Sequence, residues 1–165
     1  MAVTVTWVEF NGTDPDSGNG TALATNLNFG STDMANLAPA SYPIAAGSNS
    51  FVKYWKAQWS GSFTSISNAK IYKSSGDYVA GETLKFSGSY SKSGAPSSSA
   101  LTVGDIPTSL PAENNVALPN LTSDTLSGPA SGARSSTMVF QLQISSAASA
   151  GPVNQKVISL TYDRT

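Results

Sequence analysis

Phe51-Val52-Lys53-Tyr54-Trp55-Lys56-Ala57-Gln58-Trp59-Ser60-Gly61-Ser62-Phe63 decides the fold class of this 165-residue chain. On an extended backbone, successive side chains point to opposite faces. Phe51, Trp55, Ala57, Trp59, Gly61 and Phe63 therefore share one face, and Val52, Tyr54, Lys56 and Gln58 share the other. The first face is aromatic and apolar, so the segment reads as a central strand with Trp55 and Trp59 in the core. The second is amphipathic and is expected to meet water or a neighbouring subunit.

The same period of two recurs outward from this segment. Residues 2–10 alternate Val3, Val5 and Trp7 against Thr4, Thr6 and Val8, a β-branched pattern that predicts an N-terminal strand. Residues 66–73 are expected to pair with the central strand. Residues 83–90, 136–145 and 155–162 each alternate over a half-buried strand, and a short strand is expected near 26–31. Residues 34–47 carry Pro39 and Pro43 and no sustained helical period, so they read as an irregular connection across the core. From about 91 to 135 the chain is rich in Ser, Pro and Asn, which predicts long loops with short strand pieces near 101–103 and 116–118. The fold class is an all-β, antiparallel β-sandwich of seven or eight strands with long Pro/Ser-rich loops, forming a single domain over 1–165.

Composition narrows the chemistry. There is no cysteine and no histidine. This removes disulfides, thiolate nucleophiles, Cys/His zinc sites and the Ser-His-Asp triad. A formal net charge of -1 and an isoelectric point near 5.2 supply no basic field for nucleic acid or a membrane surface. Charged residues are 12% of the chain, about half the usual share, so the surface is mostly hydroxyl and amide and suited to ordered association. No basic, apolar leader follows Met1 and no run approaches the length of a membrane span, so synthesis in the cytoplasm is expected. The sequons at Asn11, Asn19 and Asn120 then read as turn residues.

Three weak chemical signals remain. The loop with Asp14, Asp16 and Asn19 resembles a calcium loop, but it lacks the turn glycine and closing Glu of an EF-hand and reads as a solvated turn. The carboxylate pairs Asp77/Glu82 and Asp105/Glu113 are the residue type for glycoside hydrolysis but sit in turns or polar loops, where carboxylates are solvated. Trp55, Trp59, Tyr54, Tyr72 and Tyr90 are the material of a sugar platform. Parity sends the two tryptophans to the core and leaves Tyr54 and Tyr72 for surface recognition. The chain is therefore expected to be no enzyme, with no catalytic, cofactor or metal residues.

Three stretches (residues 26–31, residues 50–72 with Phe51, Tyr54, Trp55 and Tyr72, and residues 153–162) resemble structural proteins of tailed bacteriophages. The resemblance implies an immunoglobulin-like or jelly-roll module with a non-enzymatic virion role, above all a capsid decoration or cement protein. Its partners would be the major capsid protein and copies of itself, in a homotrimer on the capsid surface. The alternatives are a tail-associated or head-fibre attachment module and, from another class, a glycan-binding adhesion domain. Extended chain adds readily to a neighbour's sheet edge, so the expected partner contacts are Val3, Val5 and Trp7 in the N-terminal run and Pro107, Pro111 and Pro119 in the Pro-rich region, with Tyr54 and Tyr72 added as surface recognition residues on polar faces.

Overall fold

The computed structural model describes residues 2–13, 20–24, 26–109, 125–127, 133–149 and 155–165. Expectations for the loop 14–19, the strand piece 116–118, Glu113, Pro111 and Pro119 lie outside the described residues. The strands are β1 (Thr4–Glu9), β2 (Thr21–Ala22), β3 (Lys53–Ser60), β4 (Ser65–Ser75), β5 (Glu82–Ser87), β6 (Thr125–Ser127), β7 (Ala133–Arg134), β8 (Met138–Ile144) and β9 (Val157–Arg164). All pairings among the described residues are antiparallel. One sheet runs β2-β1-β3-β8-β5, with β7 also on β3, and a second runs β6-β4-β9. The fold is all-β and sandwich-like, as the alternation predicts.

β3 is central because its inner face is aromatic. Trp55, Ala57 and Trp59 are fully buried and share the main core with Ile66, Ile71, Met138 and Phe140. Trp55 meets Phe140 at 4.7 Å between ring centres and Phe29 edge-on at 5.4 Å. Each such side chain taken from water contributes about 1.5–3 kcal/mol, which makes this cluster the largest source of cohesion between the sheets.

Four expectations are corrected. First, β4 does not pair with β3. The chain turns at Gly61, whose φ of 108 and whose approach to the Ala2 carbonyl exclude a side chain, and β4 enters the second sheet against β9. Parity along β4 then switches, from Ile66 inward to Ala69, Ile71 and Lys73 inward. A register shift between Ser67 and Lys70 and the left-handed Asn68 add the extra residue of a bulge. Second, residues 26–31 form no strand. Gly30 lies so close to Leu37 and the Tyr42 carbonyl that a Cβ there would clash, and its carbonyl accepts from Phe51 N. Third, residues 101–103 form no strand either.

The fourth correction concerns the outer face of β3 and β8. Val8, Phe10, Val52, Tyr54 and Val139 make a second buried cluster, covered by Tyr90, Leu101 and Val103. The covering chain is the Ser-rich segment, and Gln141 holds it. This fully buried amide donates to Ser50 O and Ser99 O and accepts from Leu101 N and the Gln143 amide, at 2.8–3.0 Å. Beyond it, Gly104 O accepts from Phe86 N and Ile106 N donates to Leu84 O along the β5 edge, and Pro107 O accepts from Lys73 N of β4. Residues 90–107 thus strap the outer face and tie one sheet to the other.

Candidate functional site

The residues nominated from sequence do not converge on one surface. Val3, Val5 and Trp7 are half-buried and pack against the main core. Tyr54, expected at the surface, is buried in the outer cluster, 6.0 Å from the Tyr90 ring and under the Lys92 ammonium. Burial first, then Tyr90, raises its pKa above the usual phenol value. Tyr72 is half-buried on β4 in the other sheet, and Pro107 is half-buried where the strap reaches β4. With Trp55 and Trp59 in the main core, these aromatic residues form no common platform for a sugar.

The carboxylate expectations also change. Glu82 is not solvated: it is buried, accepts from Val79 N at 3.0 Å and pairs with Lys156 at 2.7 Å. Asp105 is exposed and pairs with Lys85 at 2.7 Å. Among the described residues, no three carboxylates gather as a metal site. A shallow, open depression of about 220 Å³, bordered by Ser31, Ile44, Asn49, Phe51 and Ser98, has only uncharged walls.

Two polar centres were missed from sequence. The first lies where β1 leaves the large sheet. Glu9 stands opposite Trp55 in register and on the core side of β1, and Lys53 points to the same side of β3. Lys53 Nζ donates to Glu9 Oε1 at 2.8 Å and to Met34 O at 2.9 Å, with side chains 0% and 2% exposed for lysine and glutamate. Trp55 Nε1 donates to Glu9 Oε2 at 3.0 Å. The Asn11 amide donates to Glu9 Oε1 at 2.8 Å and to Asp33, and Asp33 Oδ2 accepts from Gly12 N at 2.8 Å. Strand parity held the clue, since Glu9 follows Val3, Val5 and Trp7, and Lys53 lies between Phe51 and Trp55.

The second centre surrounds Tyr78. The ammonium groups of Lys73 and Lys156 each stand 5.1 Å from its ring centre, and Glu82 holds Lys156. The Tyr78 hydroxyl is buried and has no hydrogen-bond partner among the described residues. Burial first, then the Glu82 and Asp105 carboxylates, push this phenol up to about 12.

The strand ends of the sheets offer the remaining surface. β9 is the terminal strand of the second sheet, eight residues long, and among the described residues only β4 pairs with it. Val157 at its start is 49% exposed, and Thr161, Asp163 and Arg164 are exposed too. β2, at the end of the large sheet, has two residues. Compared with known proteins, the chain matches no family model, no curated protein and no solved structure.

Proposed function

We propose that this chain is a non-enzymatic structural protein of a tailed-phage virion, a capsid decoration protein that binds the head lattice and stabilises it. The observation that carries this reading is the long edge of β9, which no described strand covers on its far side. Unpaired main-chain groups along an edge strand recognise another extended chain, and β9 carries neither proline nor lysine to deter pairing. The low-charge, hydroxyl-rich surface favours ordered packing against neighbours, including copies of the chain in a homotrimer. A module that binds only the assembled lattice stabilises it by mass action, and repeated sites add through effective concentration. The strap over the large sheet suits this role because a rigid module loses less freedom on docking.

Imaging of purified virus particles from the source tests the proposal. A regular array of this protein on the capsid surface is expected, with β9 at a contact. A position confined to the tail or to one vertex would replace decoration with attachment, and absence from the particles would overturn the virion reading.

A further inference from the structure

We propose that Lys53 and Asn11 become joined by an intramolecular isopeptide bond, with Glu9 carrying protons between the two nitrogens. The inference does not rest on the virion reading; it rests on one oxygen atom. Glu9 Oε1 lies 2.8 Å from Lys53 Nζ and 2.8 Å from Asn11 Nδ2. The attacking nitrogen of an amide exchange and its leaving nitrogen therefore touch the same carboxylate oxygen. A buried ion pair needs no amide at that position.

The surroundings hold this arrangement. Glu9 cannot swing away, because Trp55 Nε1 grips its second oxygen at 3.0 Å. Lys53 is anchored by Met34 O at 2.9 Å and has no exposed side-chain surface. It shares Glu9 with the Trp55 indole, and its enclosure keeps water from the amine, so hydrolysis of an activated amide is disfavoured. Asn11 is half-buried and Gly12 exposed, which leaves the departing nitrogen a route to solvent. Both nitrogens lie 2.8 Å from the same Glu9 oxygen, so the amine and the amide belong to one network and need no bimolecular encounter, only a short closing movement of Nζ onto Cγ.

The chemistry balances without an oxidant or a second substrate. Lys53 Nζ gives a proton to Glu9 Oε1 along their hydrogen bond, which exchanges two buried charges for a neutral amine and a carboxylic acid. The amine lone pair attacks Asn11 Cγ and forms the new C–N bond. Glu9 delivers its proton to Nδ2 and takes a second one from Nζ. The Cγ–Nδ2 bond breaks, and the nitrogen leaves as ammonia, which departs as ammonium with the second proton. Glu9 ends as the carboxylate it began as, now accepting from the N–H of the new amide. The bond staples the exit of β1 to the start of β3, so neither strand can peel away alone.

The test is the intact mass of the full chain under denaturing conditions. The mature protein is expected to weigh one ammonia less than its sequence, and digestion is expected to yield a branched peptide joining Asn11 to Lys53. Glu9→Gln and Lys53→Arg are expected at their full sequence masses. Asn11→Asp is expected to close the same link with loss of water and reach the wild-type product mass. Full sequence mass in folded wild-type protein after prolonged incubation would overturn the proposal, whatever the variants do. So would an ammonia deficit that persists in Lys53→Arg, since that would assign the loss to a succinimide at Asn11-Gly12.

Discussion

The two buried lysine–glutamate pairs use the same chemistry with different ways out. Lys53–Glu9 has exposures of 0% and 2%, and Lys156–Glu82 has 9% and 1%. At the first, Trp55, Asn11 and the Met34 carbonyl supply further partners, so neither charge reaches water without opening the sheet. At the second, Glu82 begins β5 and Lys156 precedes β9, at the periphery of both sheets, so the ammonium retains a path to solvent. Enclosure, rather than pairing distance, separates them: the contacts are 2.8 and 2.7 Å. A buried pair is costly to assemble and costlier to break by halves, because the survivor keeps its desolvation penalty.

The largest effect is therefore expected from Glu9→Leu, measured against wild-type protein whose intact mass shows Lys53 and Asn11 still unlinked. It strips an acceptor from Lys53 Nζ, Trp55 Nε1 and the Asn11 amide at once, and the loss should reach about 3–5 kcal/mol, read as a drop in the urea midpoint. Glu82→Leu is expected to cost less, about 1–3 kcal/mol, because it leaves Val79 N unbonded but lets Lys156 turn to water. Equal losses at the two sites would show that enclosure does not set the cost and would sink the comparison.

The same contrast explains what could be read from sequence. Alternation gave the direction of each side chain on β3, β8 and β9, and the core residues Trp55, Trp59, Met138, Phe140 and Leu142 follow from it. It could not say what covers a face. Val52 and Tyr54 look like a wet surface until the strap is placed, and the strap has no period of its own. Its anchor, Gln141, reads as a solvent-facing residue because an amide is polar, yet all its hydrogen-bonding capacity is spent inside. Pairing partners were illegible for a related reason. Nothing local distinguishes a hairpin from a crossing between sheets at Gly61, and a bulge at Asn68 shifts parity without changing composition. Glu9 and Lys53 were visible as charges on apolar faces, and only their opposition across β1 and β3 makes them a site.

The smallest effect sharpens the second centre. Tyr78 is flanked by Lys73 and Lys156 over its ring and by Glu82 and Asp105 among the charges that act on it. Its hydroxyl has been taken from water with nothing in return. Tyr78→Phe removes that unpaired group while keeping the ring against both ammonium groups, so at neutral pH the change should be neutral or stabilising by up to about 1 kcal/mol. The pH dependence fixes the cause. A tyrosine in the unfolded chain ionises near pH 10, whereas folded Tyr78 resists ionisation until about 12. The folded state thus binds this proton more tightly, and the resulting stability is fully present below about pH 10 and lost as pH rises through about 12. Urea midpoints of wild type and Tyr78→Phe measured in parallel across this window should diverge in favour of phenylalanine. A wild-type protein that instead gains on the variant as the solution becomes alkaline would mean that the phenolate is welcomed by Lys73 and Lys156, and that charge rather than burial governs this centre.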